Sequence, residues 1–285
     1  MNMKNKATLA LSLLASLVLV ACGGGGSSSS TTPSTSNASL PATPPAPVAA
    51  ANGESLPSLS SPQNGSTKVV GNGVEGIWTS QSGAGKTTAF IDAQGNVSAL
   101  NSLGTFTVSE LFGVVAATSP NWTLTSGVQV NNFVYYRTSA GSGTFVNNQT
   151  FTGSYVQNGN TVAVDWAYDP ANALAVTQAS VAGTWSQSGA SLTIANDGTL
   201  SGTLSNCPVT GTLLLATPAS SKNLYTLTVT GANAACGVTP GTTLTGNAAI
   251  TFLPISGSSL YVRSILYVIR ATNNSSVAYG QLTKQ

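Results

Sequence analysis

The pattern Val-x-Gly-x-Trp occurs twice in this chain, as Val74-Glu75-Gly76-Ile77-Trp78 and as Val181-Ala182-Gly183-Thr184-Trp185. Each copy leads into Ser-Gln-Ser-Gly-Ala, at 80–84 and 186–190, with one more residue after Trp in the first. A short apolar run, a Gly-containing turn and another alternating run follow in both. In the first copy these are 89–91, Gly95 and 97–100; in the second they are 192–194, Asn196-Asp197-Gly198 and 199–204. A pattern repeated once predicts two copies of one fold, and we place them at 73–170 and 181–285. Repeat-equivalent Trp78 and Trp185 are expected at the floor of each core.

The runs are strand-like. In the first unit further alternating segments lie near 122–125, 132–138, 151–157 and 161–168, with Asn158-Gly159 as a hairpin turn between the last two. In the second they lie near 209–215, 224–230, 243–252, 260–270 and 277–282. Asp197-Gly198 reads as a hairpin step of the type that needs positive φ. Seven or eight short strands in about 100 residues, joined by Gly-rich turns, predict an all-β chain of two tandem small antiparallel barrel or sandwich units. Composition agrees. Charged residues are only 6%, too few to dress long helices, while small and β-branched residues pack well on pleated surfaces. Between the units, Asp169-Pro170-Ala171-Asn172 reads as a short helical turn with Asp169 as N-cap and Pro170 in first position.

The segment 260–269 is apolar on both faces: Leu260, Val262, Leu266 and Val268 on one, Tyr261, Ile265, Tyr267 and Ile269 on the other. Such a strand is expected to be covered on both sides. Two readings stay open. It is a central core strand whose tyrosines edge into solvent, or its Tyr face with Arg263 packs on the first unit or on a partner. Tyr261, Arg263 and Tyr267 are the candidate binding residues, because Tyr and Arg are enriched at binding hot spots.

The N-terminus reads as a targeting segment. Lys4 and Lys6 precede a 14-residue apolar stretch, 7–20, short for a bilayer span. It ends in Leu19-Val20-Ala21-Cys22. This resembles the lipobox of bacterial lipoproteins. The resemblance implies cleavage after residue 21, acylation of Cys22 and, with Gly23 following, sorting to the outer membrane of a Gram-negative cell, on its periplasmic face or at the cell surface. Segment 1–22 is then the signal, and 23–72, rich in Gly, Ser, Thr and Pro without aromatic residues, is expected to be a disordered tether. Several acyl chains (palmitate-type) would make the anchor stable.

Charge and cysteine content narrow the chemistry. Of nine Lys and Arg, two precede Cys22, so the mature chain holds seven against seven carboxylates. That gives no basic patch for nucleic acid. With Cys22 lipidated, Cys207 and Cys236 remain as an even pair in an oxidising compartment, predicting a disulfide rather than a redox or metal pair. The chain has no histidine, which excludes His-based triads and His-ligated zinc. No catalytic residue, metal site or cofactor is predicted. Asp165 and Asp169 are the only close carboxylate pair, and Asp169 is better used as a cap. Gly83-Ala84-Gly85-Lys86-Thr87-Thr88 is not a phosphate loop, because Ser80 stands where its first Gly is needed and a strand follows.

From Val181 onward, Gly183-Thr184-Trp185, the Asp197-Gly198 turn, Cys207, Cys236 and the run from Pro240 to Gly246 resemble a group of uncharacterised lipoproteins of Gram-negative bacteria. That resemblance implies architecture and location, not activity. The overall layout is also similar to surface lipoproteins that bind host factors. The sequence therefore favours a non-enzymatic binding or interaction module, its partner a protein or an apolar small molecule. The alternative is a lipocalin-like carrier of an apolar ligand inside a barrel. A hydrolase ranks last.

Overall fold

A computed structural model describes residues 53–104, 106–231 and 240–285. The signal segment, Cys22 and Cys236 lie outside the described residues. The chain is all-β. Eight strands, β1 (Gly76–Ser82), β2 (Gly85–Ile91), β3 (Asn96–Leu103), β4 (Phe106–Thr118), β5 (Asn121–Asn131), β6 (Val134–Val146), β7 (Thr150–Gln157) and β8 (Asn160–Tyr168), form one closed antiparallel meander. Eight more form a second: β9 (Gly183–Gln187), β10 (Ala190–Ile194), β11 (Thr199–Leu204), β12 (Cys207–Leu215), β13 (Tyr225–Gly231), β14 (Thr243–Pro254), β15 (Tyr261–Ala271) and β16 (Val277–Lys284). Each sheet closes through a short pairing, Trp78 with Tyr168 in barrel 1 and Trp185 with Lys284 in barrel 2.

The repeated motif does the same physical work in both barrels. Val74 and Val181 are buried against the core. Gly76 (φ 139°) and Gly183 (φ 114°) take a left-handed backbone that other residues resist. Trp78 and Trp185 then fill the interior, and each indole N–H donates back to the Val carbonyl four residues earlier at 2.7 Å. A buried indole needs such an acceptor. The motif is therefore a plug that closes one end of a barrel and satisfies its own polar atom.

The likeness continues through the next hairpin. Val115 N–H donates to the Gly95 carbonyl and Leu213 N–H to the Gly198 carbonyl, both at 2.8 Å. The Asp197-Gly198 turn lies where expected, but only Gly198 has positive φ. It is a turn closed by one left-handed glycine rather than a two-residue mirror turn. Asn158-Gly159 does carry positive φ at both residues. Asp169 caps the 3-10 turn Pro170–Ala173, its carboxylate accepting from Ala171 N–H at 2.8 Å.

Three apolar clusters hold the molecule together: the two barrel interiors and the seam between the barrels. At the seam Ile77, Phe90, Phe112 and Val130, on the outer face of barrel 1, meet Leu224, Ala249, Leu266 and Val268 of barrel 2. Two asparagines complete the sheet backbone there. The β1–β8 pairing registers Trp78 and Thr79 only, so Ile77, paired with Phe90 of β2, lacks a strand neighbour on the β8 side. Asn172 takes that place, accepting from Ile77 N–H at 2.9 Å and donating to its carbonyl at 2.7 Å. Asn223 does the same for Ile250 of β14, at 3.0 and 2.7 Å. Glu75 and Lys222, both buried, form an ion pair at 3.5 Å across the seam, and Thr217 donates to the Glu75 carboxylate at 2.9 Å.

Two expectations are corrected. The tether does not extend to residue 72: residues 53–72 take defined places. Gly53 and Glu54 lie beside the start of β15, where Glu54 and Tyr261 exchange backbone hydrogen bonds at 2.9 and 2.8 Å. Leu59 packs on the barrel 1 core, and Gln63 N–H donates to the Ala173 carbonyl at 3.0 Å. A few specific anchors outweigh a disorder-prone composition. The second correction concerns β15. Both its faces are covered, but Ile265, Tyr267 and Ile269 point into barrel 2, whereas Leu266 and Val268 form the seam.

Candidate functional site

The Tyr261, Arg263 and Tyr267 face is not an exposed binding surface. Tyr267 is 1% exposed inside barrel 2, where Gly280 opposite it on β16 leaves room for the ring. Arg263 is buried too, with Nη2 donating to Glu54 Oε2 at 2.8 Å and Nε to Oε1. This fork-to-carboxylate pairing consumes the geometry that makes Arg a good anchor. Tyr261 is half-buried at the Glu54 bridge and lines a cleft of about 280 Å³ between the barrels. The structure does not gather the three residues into one site.

The barrel interiors are filled. In barrel 1, Trp122 stacks on Phe151 at 4.6 Å and Phe151 on Trp166 at 5.5 Å between ring centroids. The void left beside them is about 10 Å³, about the space of one water. Trp185, Tyr225 and Tyr267 occupy the interior of barrel 2.

A cavity of about 570 Å³ lies between the barrels. Its size falls within the range of small-molecule sites. One wall is the outer face of β3 to β6, carrying Ser98, Phe112, Val128 and Arg137; the other is the outer face of β13 to β15, carrying Thr226, Thr245, Asn247 and Arg270. Strand alternation places these side chains, since their sequence neighbours fill the barrel interiors. The Arg270 guanidinium sits 5.1 Å from the Phe112 ring centroid and donates through Nη1 to Asn274 Oδ1. Arg137 stands exposed. Asn247 is 4% exposed, and its Nδ2 has no hydrogen-bond partner among the described residues. Asp92 also lines the cavity, but its carboxylate already accepts from Gln94 N–H, Asn96 N–H and Asn96 Nδ2, at 2.8–2.9 Å.

A buried carboxylate stands elsewhere at the seam. Glu110 on β4 is 6% exposed, and burial pushes its pKa up to about 7, against a smaller opposing effect of its own backbone N–H. Burial and the Glu110 charge raise Tyr135. Asp165 is exposed on β8, while the Asp169 carboxylate caps the 3-10 turn. Among the described residues, no group of three or more Cys, Asp or Glu is placed to hold a metal ion.

Sequence reasoning missed Arg137, Asn247, Arg270 and Glu110. The one available signal was Arg270, a cation closing an otherwise two-sided apolar strand. Cys207 begins β12, and its proposed partner Cys236 falls outside the described residues. Compared with protein-family models, curated proteins and solved structures, the chain finds no match.

Proposed function

We propose that this chain is a lipid-anchored binding module of the Gram-negative outer membrane, non-enzymatic, whose ligand occupies the groove between the barrels. The observation that carries the reading is where the space lies. About 570 Å³ separates the barrels, against about 10 Å³ beside the aromatic stack of barrel 1. Rigid filled barrels suit a scaffold that presents a groove, as recognition commonly sits on the rim of β frameworks. They suit the lipocalin-like alternative poorly, because a carrier needs its volume inside the barrel. The lipobox residues 19–22 support the anchor, and an oxidising compartment supports a Cys207–Cys236 disulfide.

The anchor is tested by fractionating cells that express Cys22→Ser. The expected result is a soluble or unprocessed envelope protein. Unchanged maturation and membrane association would overturn the assignment.

A further inference from the structure

We infer that the inter-barrel groove binds a small organic anion, held by Arg137 from barrel 1 and by Arg270 and Asn247 from barrel 2. The inference rests on the groove being the binding site and adds the chemical class of ligand.

The groove offers donors and almost no uncommitted acceptor charge. Asp92, the acidic residue in its lining, spends its carboxylate on three N–H groups of its own turn. The two guanidiniums thus set the sign of the local field. Arg270 uses Nη1 on Asn274 and holds its guanidinium carbon over Phe112, which restrains the side chain and leaves further N–H groups of its five. Asn247 sharpens the argument. A buried amide donor without an acceptor is destabilising, and native proteins seldom leave one unexplained. Its Nδ2 is such a donor, on a side chain that lines the groove. As the groove stands Nδ2 is closed to solvent, so a carboxylate oxygen reaches it after a rotation of the Asn247 side chain and then pairs with guanidinium as well. Thr226 adds a hydroxyl on the same wall, beside Thr245 whose own hydroxyl pairs with Thr228 at 3.2 Å, suiting a hydroxylated acid better than an apolar one.

Neither barrel holds this site alone: Arg137 belongs to the first copy of the fold, Arg270 and Asn247 to the second. Duplication followed by face-to-face packing is what creates it.

The test is NMR titration of the mature chain with citrate and with glucuronate, using glucose as the neutral control. Either anion is expected to shift the Asn247 side-chain amide and the backbone amides of Ser98 and Thr245, with affinity falling as salt is added. Arg137→Gln alters an exposed side chain, so the fold should persist while affinity drops roughly ten-fold, the loss of one charge-assisted hydrogen bond. Asn247→Asp puts a carboxylate where the donor stands and is expected to abolish binding. If glucose shifts the same amides as strongly and Arg137→Gln changes nothing, the groove binds but the anion assignment falls. If no groove amide responds to either anion at millimolar concentration, the inference is overturned. Shifts confined to other surfaces would overturn the groove itself.

Discussion

The two barrels share a meander, a closing strand pair and a Trp plug, yet they are filled with different chemistry. Barrel 1 is aromatic inside. Trp78, Trp122, Phe145, Phe151 and Trp166 form a run of ring contacts centred on Phe151. Glycines make the space: a Cβ on Gly143 or Gly153 would lie within 2.7 Å of the Trp122 ring. Barrel 2 is largely aliphatic, with Leu192, Leu213, Leu227, Ile250 and Ile265 around Trp185, Tyr225 and Tyr267. The comparison teaches that a closed eight-stranded sheet does not require one particular core. Both barrels keep the Trp plug, and the remaining core residues differ while filling the volume.

Three experiments would break or sharpen the contrast. The largest effect is expected from Trp78→Ala and Trp185→Ala, each costing about 3–5 kcal/mol as a buried ring is replaced by a cavity. Denaturant unfolding followed by fluorescence checks this. A loss below about 1 kcal/mol at either position would show that the plug is not what closes the barrel. Next comes reduction. Among the mature cysteines beyond residue 22, both belong to the second copy. A Cys207–Cys236 bridge closes a loop of about 30 residues, so reductant should cost roughly 3–4 kcal/mol and should lower the transition reported by Trp185. Freely alkylated thiols in envelope-purified protein would remove the disulfide and this asymmetry with it.

The smallest effect concerns the seam. Glu110 takes up its proton more readily when folded, at about 7 against an ordinary 4.5. Its protonated form therefore contributes stability that is complete below about 4.5 and is lost as pH rises through about 7. Glu110→Gln mimics the protonated form. It should match the wild type at acidic pH and exceed it by about 1–2 kcal/mol above neutrality, after allowance for solvent screening. Parallel stability curves across that range would mean that the carboxylate is not desolvated by the partner barrel.

Strand β4 shows where pattern reading fails. Leu111 and Val115 face the barrel 1 interior while Phe112 faces the seam. With apolar residues on both sides, the period-2 signal that marked the other strands disappears. Strand β15 carries the same ambiguity: its unbroken apolar length marks a strand, but nothing in it says which face points inward. The Arg137, Asn247 and Arg270 constellation had no local signature, because its members come from opposite copies and meet only through packing.

By itself the sequence determined the duplication, the hairpin at Asn158-Gly159, the cap at Asp169 and the Trp plugs. These rest on backbone preferences and nearest-neighbour alternation, which act over a few residues. Tertiary structure alone decided that residues 53–72 are fastened to the barrels, that Tyr267 lies inside, and that the usable cavity opens between the barrels. They rest on long-range contacts: Glu54 with Arg263, Tyr267 with the barrel 2 core, and Glu75 with Lys222 across the seam. The ion-paired partners are separated by most of the folded chain, so these contacts form only when tertiary structure brings distant segments together.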